Sequence, residues 1–328
     1  MVFPFRISLL IILLFFSRDG LAFIIRPVQV QSLRKITLLD AVNDEPAQAD
    51  ANKLTSNRPF VQPMPANLRR KVKVQRPQLG HVVPQQYRTK GGSQNPRLRP
   101  QGKAREAGLN NPSMLQISAG SAKGRRLDSP DVYLRPMMGK VREAVYSTFT
   151  SFGLYDQACR HLDIFAGSGS VGLESLSRGA SHCTFVDLSA DCCASVERNI
   201  KWCQFDGKAT VLQNDALTVL REPYKAGIPV GTSFNLITLC PPYEEVIYAD
   251  LLESAANSPI VTEDTIVMVE YPVELDCLPH VIGREDGGAM IGVRNRRYGR
   301  TVIAMYIVNP TGRLETAGSR PEEFVSIK

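Results

Sequence analysis

From about Leu115 onward, short apolar runs alternate with stretches whose apolar residues recur at spacings of three and four. His161-Leu162-Asp163-Ile164-Phe165 predicts a first strand over 160–165, running into Ala166-Gly167-Ser168-Gly169. Val171, Leu173 and Leu176 then mark a helix that Gly179 closes. Cys183–Asp187 reads as a second strand, and Ser189 is placed to cap a helix whose Cys193, Val196, Ile200 and Cys203 share one face. Strands follow at 210–213, 234–239 and 265–270, with a helix over 244–256. Met290–Val293 and Thr301–Val308 flank Tyr298-Gly299 and predict an antiparallel hairpin. Ahead of the first strand, Val141, Val145, Phe149 and Phe152 make an apolar helix face after Pro136, with Lys140 and Arg142 expected outside it.

Short strands alternating with helices imply right-handed βαβ units and a mostly parallel sheet covered on both faces. Such a sheet holds its ligand beyond the carboxyl ends of the strands. Functional residues are therefore expected just after the first four strands.

Upstream the periodicity disappears. Residues 41–115 hold nine prolines and two aromatics, and are expected to be a disordered basic linker. Ile7–Phe16 is an apolar run of about ten residues after Arg6, too short to cross a bilayer but suited to a signal peptide over 1–22. Residues 23–40 hold Arg26, Arg34 and Lys35 and only one acid, Asp40, as transit segments do. The pair resembles the bipartite plastid presequence of algae with secondary plastids, the alternative being an endomembrane or secreted protein. After processing, no stable membrane association is expected. A folded domain is expected over 116–310 and a polar tail over 311–328.

Charge sharpens this division. Residues 1–116 carry 18 Lys/Arg against 6 Asp/Glu, and residues 117–328 carry 21 against 26. A basic front precedes an acidic body. The seven cysteines include no CxxC pair and the four histidines have no metal-ligand spacing, so neither a disulfide scaffold nor a metal is assigned.

Gly167-Ser168-Gly169-Ser170-Val171-Gly172 satisfies G-x-G-x-x-G, which admits a dinucleotide. Asp163 argues otherwise, since a carboxylate there repels a pyrophosphate but suits a cofactor with a cationic amino-acid end. S-adenosylmethionine is such a cofactor. Asp187 can accept its ribose hydroxyls, and Asn214-Asp215-Ala216 can meet its adenine, with Phe165, Ala166, Gly167 and Gly169 forming the cradle. After the fourth strand stands Cys240-Pro241-Pro242-Tyr243. In amino-directed methyltransferases a D/N-P-P-Y/F turn is rigid, offers oxygens to the target –NH2, and stacks its ring on the base.

Together these segments resemble the RsmD family of bacterial-type small-subunit rRNA guanine-N2 methyltransferases over roughly residues 116–308. Ile117 to Leu127, Leu134-Arg135-Pro136 and Val141-Arg142-Glu143-Ala144 are similar to that family's GKGRKL…RPT…VREALF lead-in. Asp163 to Gly169, and Arg296-Arg297-Tyr298-Gly299-Arg300-Thr301, match its glycine loop and closing RYGxT. The resemblance implies a class I S-adenosylmethionine-dependent fold with a seven-stranded mixed sheet and one antiparallel strand. It also implies a monomer acting on small-subunit rRNA or the assembling subunit.

Cys240 departs from the family's Asp or Asn. A thiol is a weak acceptor, which leaves the Pro241 carbonyl as the main one; restoring Asp there is expected to keep or raise the rate. The alternative is a non-catalytic assembly factor that keeps the fold, and a nicotinamide-dependent dehydrogenase is a more distant rival. Lys123, Arg125, Arg126, Arg135 and Arg142 are expected to contact RNA phosphates beside the cofactor pocket, extended by Arg294, Arg296, Arg297 and Arg300.

Overall fold

A computed structural model describes residues 64–73, 115–130, 136–314 and 318–327. Helix α1 (Gly139–Ser151) leads into β1 (Arg160–Ile164), α2 (Ser170–Ser177), β2 (His182–Asp187), α3 (Ala190–Cys203) and β3 (Ala209–Gln213). The chain continues through α4 (Ala216–Arg221), β4 (Phe234–Leu239), α5 (Tyr248–Ala256) and β5 (Val261–Pro272). It closes with β6 (Val281–Gly283), β7 (Ala289–Tyr298) and β8 (Thr301–Val308).

The eight strands form one sheet in the order β3-β2-β1-β4-β5-β8-β7-β6. Strands β1 to β5 are parallel, and β8, β7 and β6 follow by antiparallel pairing. This is one strand more than expected, and two strands, β6 and β8, run against the rest. Strand β6 has only three residues, too few to show an alternation.

Alternating residues divide the core. Leu162, Ile164, Ile237 and Leu239 pack with α4 and α5, whereas Leu236, Ile266 and Met268 pack with α1, α2 and α3. Ser189 caps α3 as expected, its Oγ accepting from Cys192 N–H. The seven cysteines are unpaired, five of them buried. Among the described residues no helix is long and apolar enough to cross a membrane.

Three expectations are corrected. Arg142 lies not outside α1 but in the core, 1% exposed, because it follows the i, i+3, i+4, i+7 stripe with Val145, Tyr146 and Phe149. Its partner is Glu174 on α2: Arg142 Nε is 3.3 Å from Glu174 Oε2, and Arg178 Nε is 2.8 Å from Oε1. The same carboxylate accepts Ser118 and Ala119 N–H, tying the lead-in segment to α2.

Second, residues 64–73 do not belong to a featureless linker. Leu68 and Val72 are buried in the α4–α5 side of the core. Third, the chain after 310 is not simply a polar tail. Thr311 is hydrogen-bonded to Asp264, and Phe324 is buried near Tyr306 and His280. The signal and transit segments and Arg135 lie outside the described residues.

Candidate active site

The glycine loop forms where β1 meets α2 at the carboxyl edge of the sheet. Gly169 has a φ of +76°, which L side chains rarely adopt, and precedes the first turn of α2. Gly172 is required for a different reason: a Cβ there would lie 2.3 Å from Phe185 and 2.6 Å from the Cys183 sulfur. The helix can therefore approach β2 only at a glycine.

Two amides of this loop are already committed to carboxylates. Gly167 N–H donates to Asp187 Oδ2 at 2.9 Å, and Gly172 N–H donates to Asp163 Oδ2 at 2.8 Å. A pyrophosphate cradle needs such amides turned to the ligand. Here they face inward and the site carries negative charge, which fits the phosphate-free, cationic S-adenosylmethionine and excludes the dinucleotide reading.

The carboxylates differ in placement. Asp187 is half-buried, its Oδ1 accepting Ser189 N–H at 2.9 Å, and each oxygen keeps a lone pair for a ribose hydroxyl. Asp163 is 1% exposed and sits behind the loop, not open at its mouth as a contact to the cofactor's amino end requires. Its Oδ1 accepts from Thr238 Oγ1 at 2.7 Å, and Thr238 Oγ1 is 2.8 Å from His161 Nε2. Burial pushes the Asp163 carboxyl up to about 7, against the opposing pull of its Thr238 and Gly172 hydrogen bonds. Burial likewise lowers His161 to about 3 and keeps it neutral. Asp163 thus posts the loop from behind. Asp215 is exposed and caps α4, accepting Thr218 N–H at 2.9 Å, with Ala216 buried beside it. Phe165, half-buried with φ +63°, and Ala166 complete the turn.

The proline turn follows β4. Cys240 N–H donates to Ile164 O at 3.4 Å, which sets the turn against the glycine loop. The Pro242 carbonyl accepts Glu245 N–H at 3.1 Å, while the Pro241 carbonyl accepts none from the described residues. The Tyr243 hydroxyl donates to Glu270 Oε1 at 2.7 Å and lies 2.8 Å from Thr301 Oγ1.

Glu270 was not singled out in the sequence. Leu239 pairs with Val269, so the next residues, Cys240 and Glu270, leave neighbouring strands side by side. The Cys240 thiol donates to the Glu270 carboxylate. Burial, then Glu270 and Asp163, push it well above the usual thiol range. It is therefore a thiol at neutral pH, with no nucleophilic role. The signal was available: an acid ends the apolar run Thr265–Glu270, just as Asp187 ends Cys183–Asp187.

The basic lead-in packs on the ends of α2 and α3. Residues 116–126 form a small turn whose Gly120 packs on Ser177, the last residue of α2. Arg125 bonds to Trp202 O and Gln204 at the end of α3. Parallel strands place these helix ends at the amino edge of the sheet, about 12 Å down the eight-residue α2 from the glycine loop. Yet Asn199 Nδ2 donates both to Asp128 O, two residues after Arg126, and to Ser168 O in that loop, each at 2.9 Å. Lys123 and Arg126 are exposed on this turn. Arg294 is buried against the Phe152 ring at 5.2 Å.

Comparison with known proteins agrees with this geometry. A family model described as "Conserved hypothetical protein 95", the RsmD type, matches residues 115–307. The chain belongs to this family. YlbH of Bacillus subtilis, provisionally named an rRNA methyltransferase, is 34% identical over 193 residues, 58% of this chain and 98% of its own. "Ribosomal RNA small subunit methyltransferase D" of Escherichia coli is 28% identical over 161 residues, 49% of this chain and 76% of its own. Among solved structures, Escherichia coli yhhF, provisionally assigned as a methyltransferase, is 23% identical with a TM-score of 0.48, covering 60% of this chain and 98% of its own. The strand order and the carboxylate-held glycine loop are those of a class I S-adenosylmethionine-dependent methyltransferase.

Proposed function

We propose that this protein methylates the exocyclic N2 amine of a guanine in small-subunit rRNA. The observation that carries the reading is the pairing of the Cys240-Pro241-Pro242-Tyr243 turn with Glu270, beside a glycine loop whose amides are held by carboxylates. The names of YlbH and of methyltransferase D support RNA as the substrate class.

S-adenosylmethionine supplies an electrophilic methyl group and leaves as the thioether. The chain's residues do the rest. Tyr243, tied to Glu270 and Thr301, presents its ring for stacking on the base, worth ~1–3 kcal/mol. The Pro241 carbonyl accepts one N–H of the amine. As the N–C bond forms, the amine nitrogen becomes cationic and must release a proton. Glu270 stabilises that charge and takes the proton. An acceptor absent from position 240 is in this way supplied by the adjacent strand.

The test is a map of small-subunit rRNA methylation in cells lacking the protein. Loss of one N2-methylguanosine supports the reading, and an unchanged map contradicts it. We further assign residues 1–40 to plastid targeting, supported by the apolar run at 7–16 and the acid-poor stretch after it. A fluorescent fusion of these residues that enters the secretory path and stops short of the plastid overturns that assignment.

A further inference from the structure

Residues 64–73 lie outside the region shared with the family, yet they are built into the catalytic domain. Leu68 is fully buried and Val72 nearly so, both in the cluster formed by α4, α5 and the sheet. Leu68 O accepts Ala249 N–H at 3.0 Å, in the first turn of α5. Asn67 Nδ2 donates to Leu275 O at 2.6 Å. Ala249 stands six positions after Tyr243 and Leu275 five after Glu270. The segment is therefore fastened to the two stretches of chain that leave the proposed site.

Charge gives the segment a use. Between residues 241 and 276 the chain has nine Asp and Glu and no Lys or Arg. Glu263 and Asp264 open β5 at the opposite edge, and Glu274 is paired with Arg300. Glu244, Glu245, Asp250 and Glu253, however, lie along the stretch from the proline turn into α5, so that flank is acidic and repels a polyanion. Arg69, Arg70, Lys71 and Lys73 stand on this segment, which is docked at the first turn of α5. Arg69 reaches Glu253 at 3.6 Å, while Arg70, Lys71 and Lys73 are exposed. The cations of the lead-in turn sit with α2 and α3, on the other face of the sheet from α5.

We infer that residues 64–73 are a docked basic rim that contacts the phosphate backbone of the RNA whose base enters the site. The inference rests on the RNA reading above. Position matters as much as charge: Leu68 and Val72 hold the cations against α5, the helix that follows the proline turn, where a loose arm would hold them nowhere in particular.

The test uses the full chain, titrated with small-subunit rRNA and with a mixed-sequence single-stranded RNA of about 20 nucleotides over a range of salt. The triple variant Arg70→Ala, Lys71→Ala, Lys73→Ala keeps the anchors and removes three exposed cations. Its affinity is expected to fall roughly tenfold to a hundredfold at ~0.15 M salt, and its slope of log K against log salt to fall by about 2. S-adenosylmethionine affinity stays unchanged in the same protein. Leu68→Asp undocks the segment while keeping every cation, and is expected to produce a similar loss; its S-adenosylmethionine affinity reports that the domain remains folded. If the triple variant keeps wild-type affinity and slope, the cations only hold the segment on an acidic face, and the inference fails. If Leu68→Asp alone behaves as wild type, the residues act as a loose arm and the docked rim is overturned. A wild-type chain that shows the rim-dependent slope but transfers no methyl to RNA overturns the proposed reaction and supports the rim. A wild type that binds no RNA overturns both.

Discussion

Tyr243 and Glu270 are joined by a 2.7 Å hydrogen bond from the phenol to Oε1, and Cys240 donates its thiol to the same carboxylate. The proline turn is thus held by the strand beside it, and one buried carboxylate serves both residues. Tyr243→Phe keeps the stacking ring and removes the tether. A fall of about tenfold in transfer rate, with S-adenosylmethionine affinity unchanged, is expected from losing one oriented contact worth ~1.4 kcal/mol. Single-turnover kinetics on the same RNA measures it.

Cys240→Asp has a different outcome once Glu270 is known. Sequence alone makes the new carboxylate a restored acceptor. In the structure it stands beside Glu270, and two neighbouring carboxylates share a proton instead of both ionising. The variant is expected to transfer more slowly than wild type near neutral pH and to recover only as pH rises and the second carboxyl ionises. A rate at or above wild type across the pH range contradicts the placement of Glu270.

Arg142 is a structural residue. Arg142→Ala leaves Glu174 buried with one cation fewer and should cost roughly 3–5 kcal/mol of stability, measured by denaturant unfolding. Replacing Arg142 and Glu174 together by Met and Leu should recover much of that loss. RNA affinity per folded molecule should not change.

Asp163 predicts a pH dependence of stability. Its carboxyl is raised to about 7 in the fold, from about 4 when unfolded. Between those values the native state keeps a proton that the unfolded chain has released. The contribution is fully present below about pH 4 and is lost as pH rises through about 7. Asp163→Asn should flatten that slope, as measured by urea unfolding at about pH 5 and about pH 7.5.

The first five strands were legible because an apolar strand between turn residues is a local signal, and the glycine loop and proline turn sit at its ends. What escaped reading depends on partners distant in sequence. Arg142 looks solvent-facing until Glu174 is seen behind it. Glu270 looks like a strand-end acid until the register sets it beside Cys240. Leu68 and Val72 are only two apolar residues, four apart, in a proline-rich basic stretch. The lead-in cations carried no information about which edge of the sheet they reach.

Asp187 has the most direct link to the cofactor. Asp187→Ala removes an acceptor for the ribose and releases Gly167 N–H, so S-adenosylmethionine affinity should fall by ~1–3 kcal/mol in calorimetry. NAD should not bind either form.

The central claim is that Glu270, across from an unreactive Cys240, serves the amine during methyl transfer. The measurement is tritium transfer from labelled S-adenosylmethionine to unmethylated small subunits, with the product nucleoside identified, for wild type, Cys240→Ala and Glu270→Gln. Wild type should yield N2-methylguanosine, Cys240→Ala should stay within about threefold of it, and Glu270→Gln should lose at least about tenfold in rate with cofactor affinity intact. Full activity in Glu270→Gln, or no transfer by wild type to RNA that it binds, contradicts the account, and the second result leaves an assembly factor that keeps the methyltransferase fold.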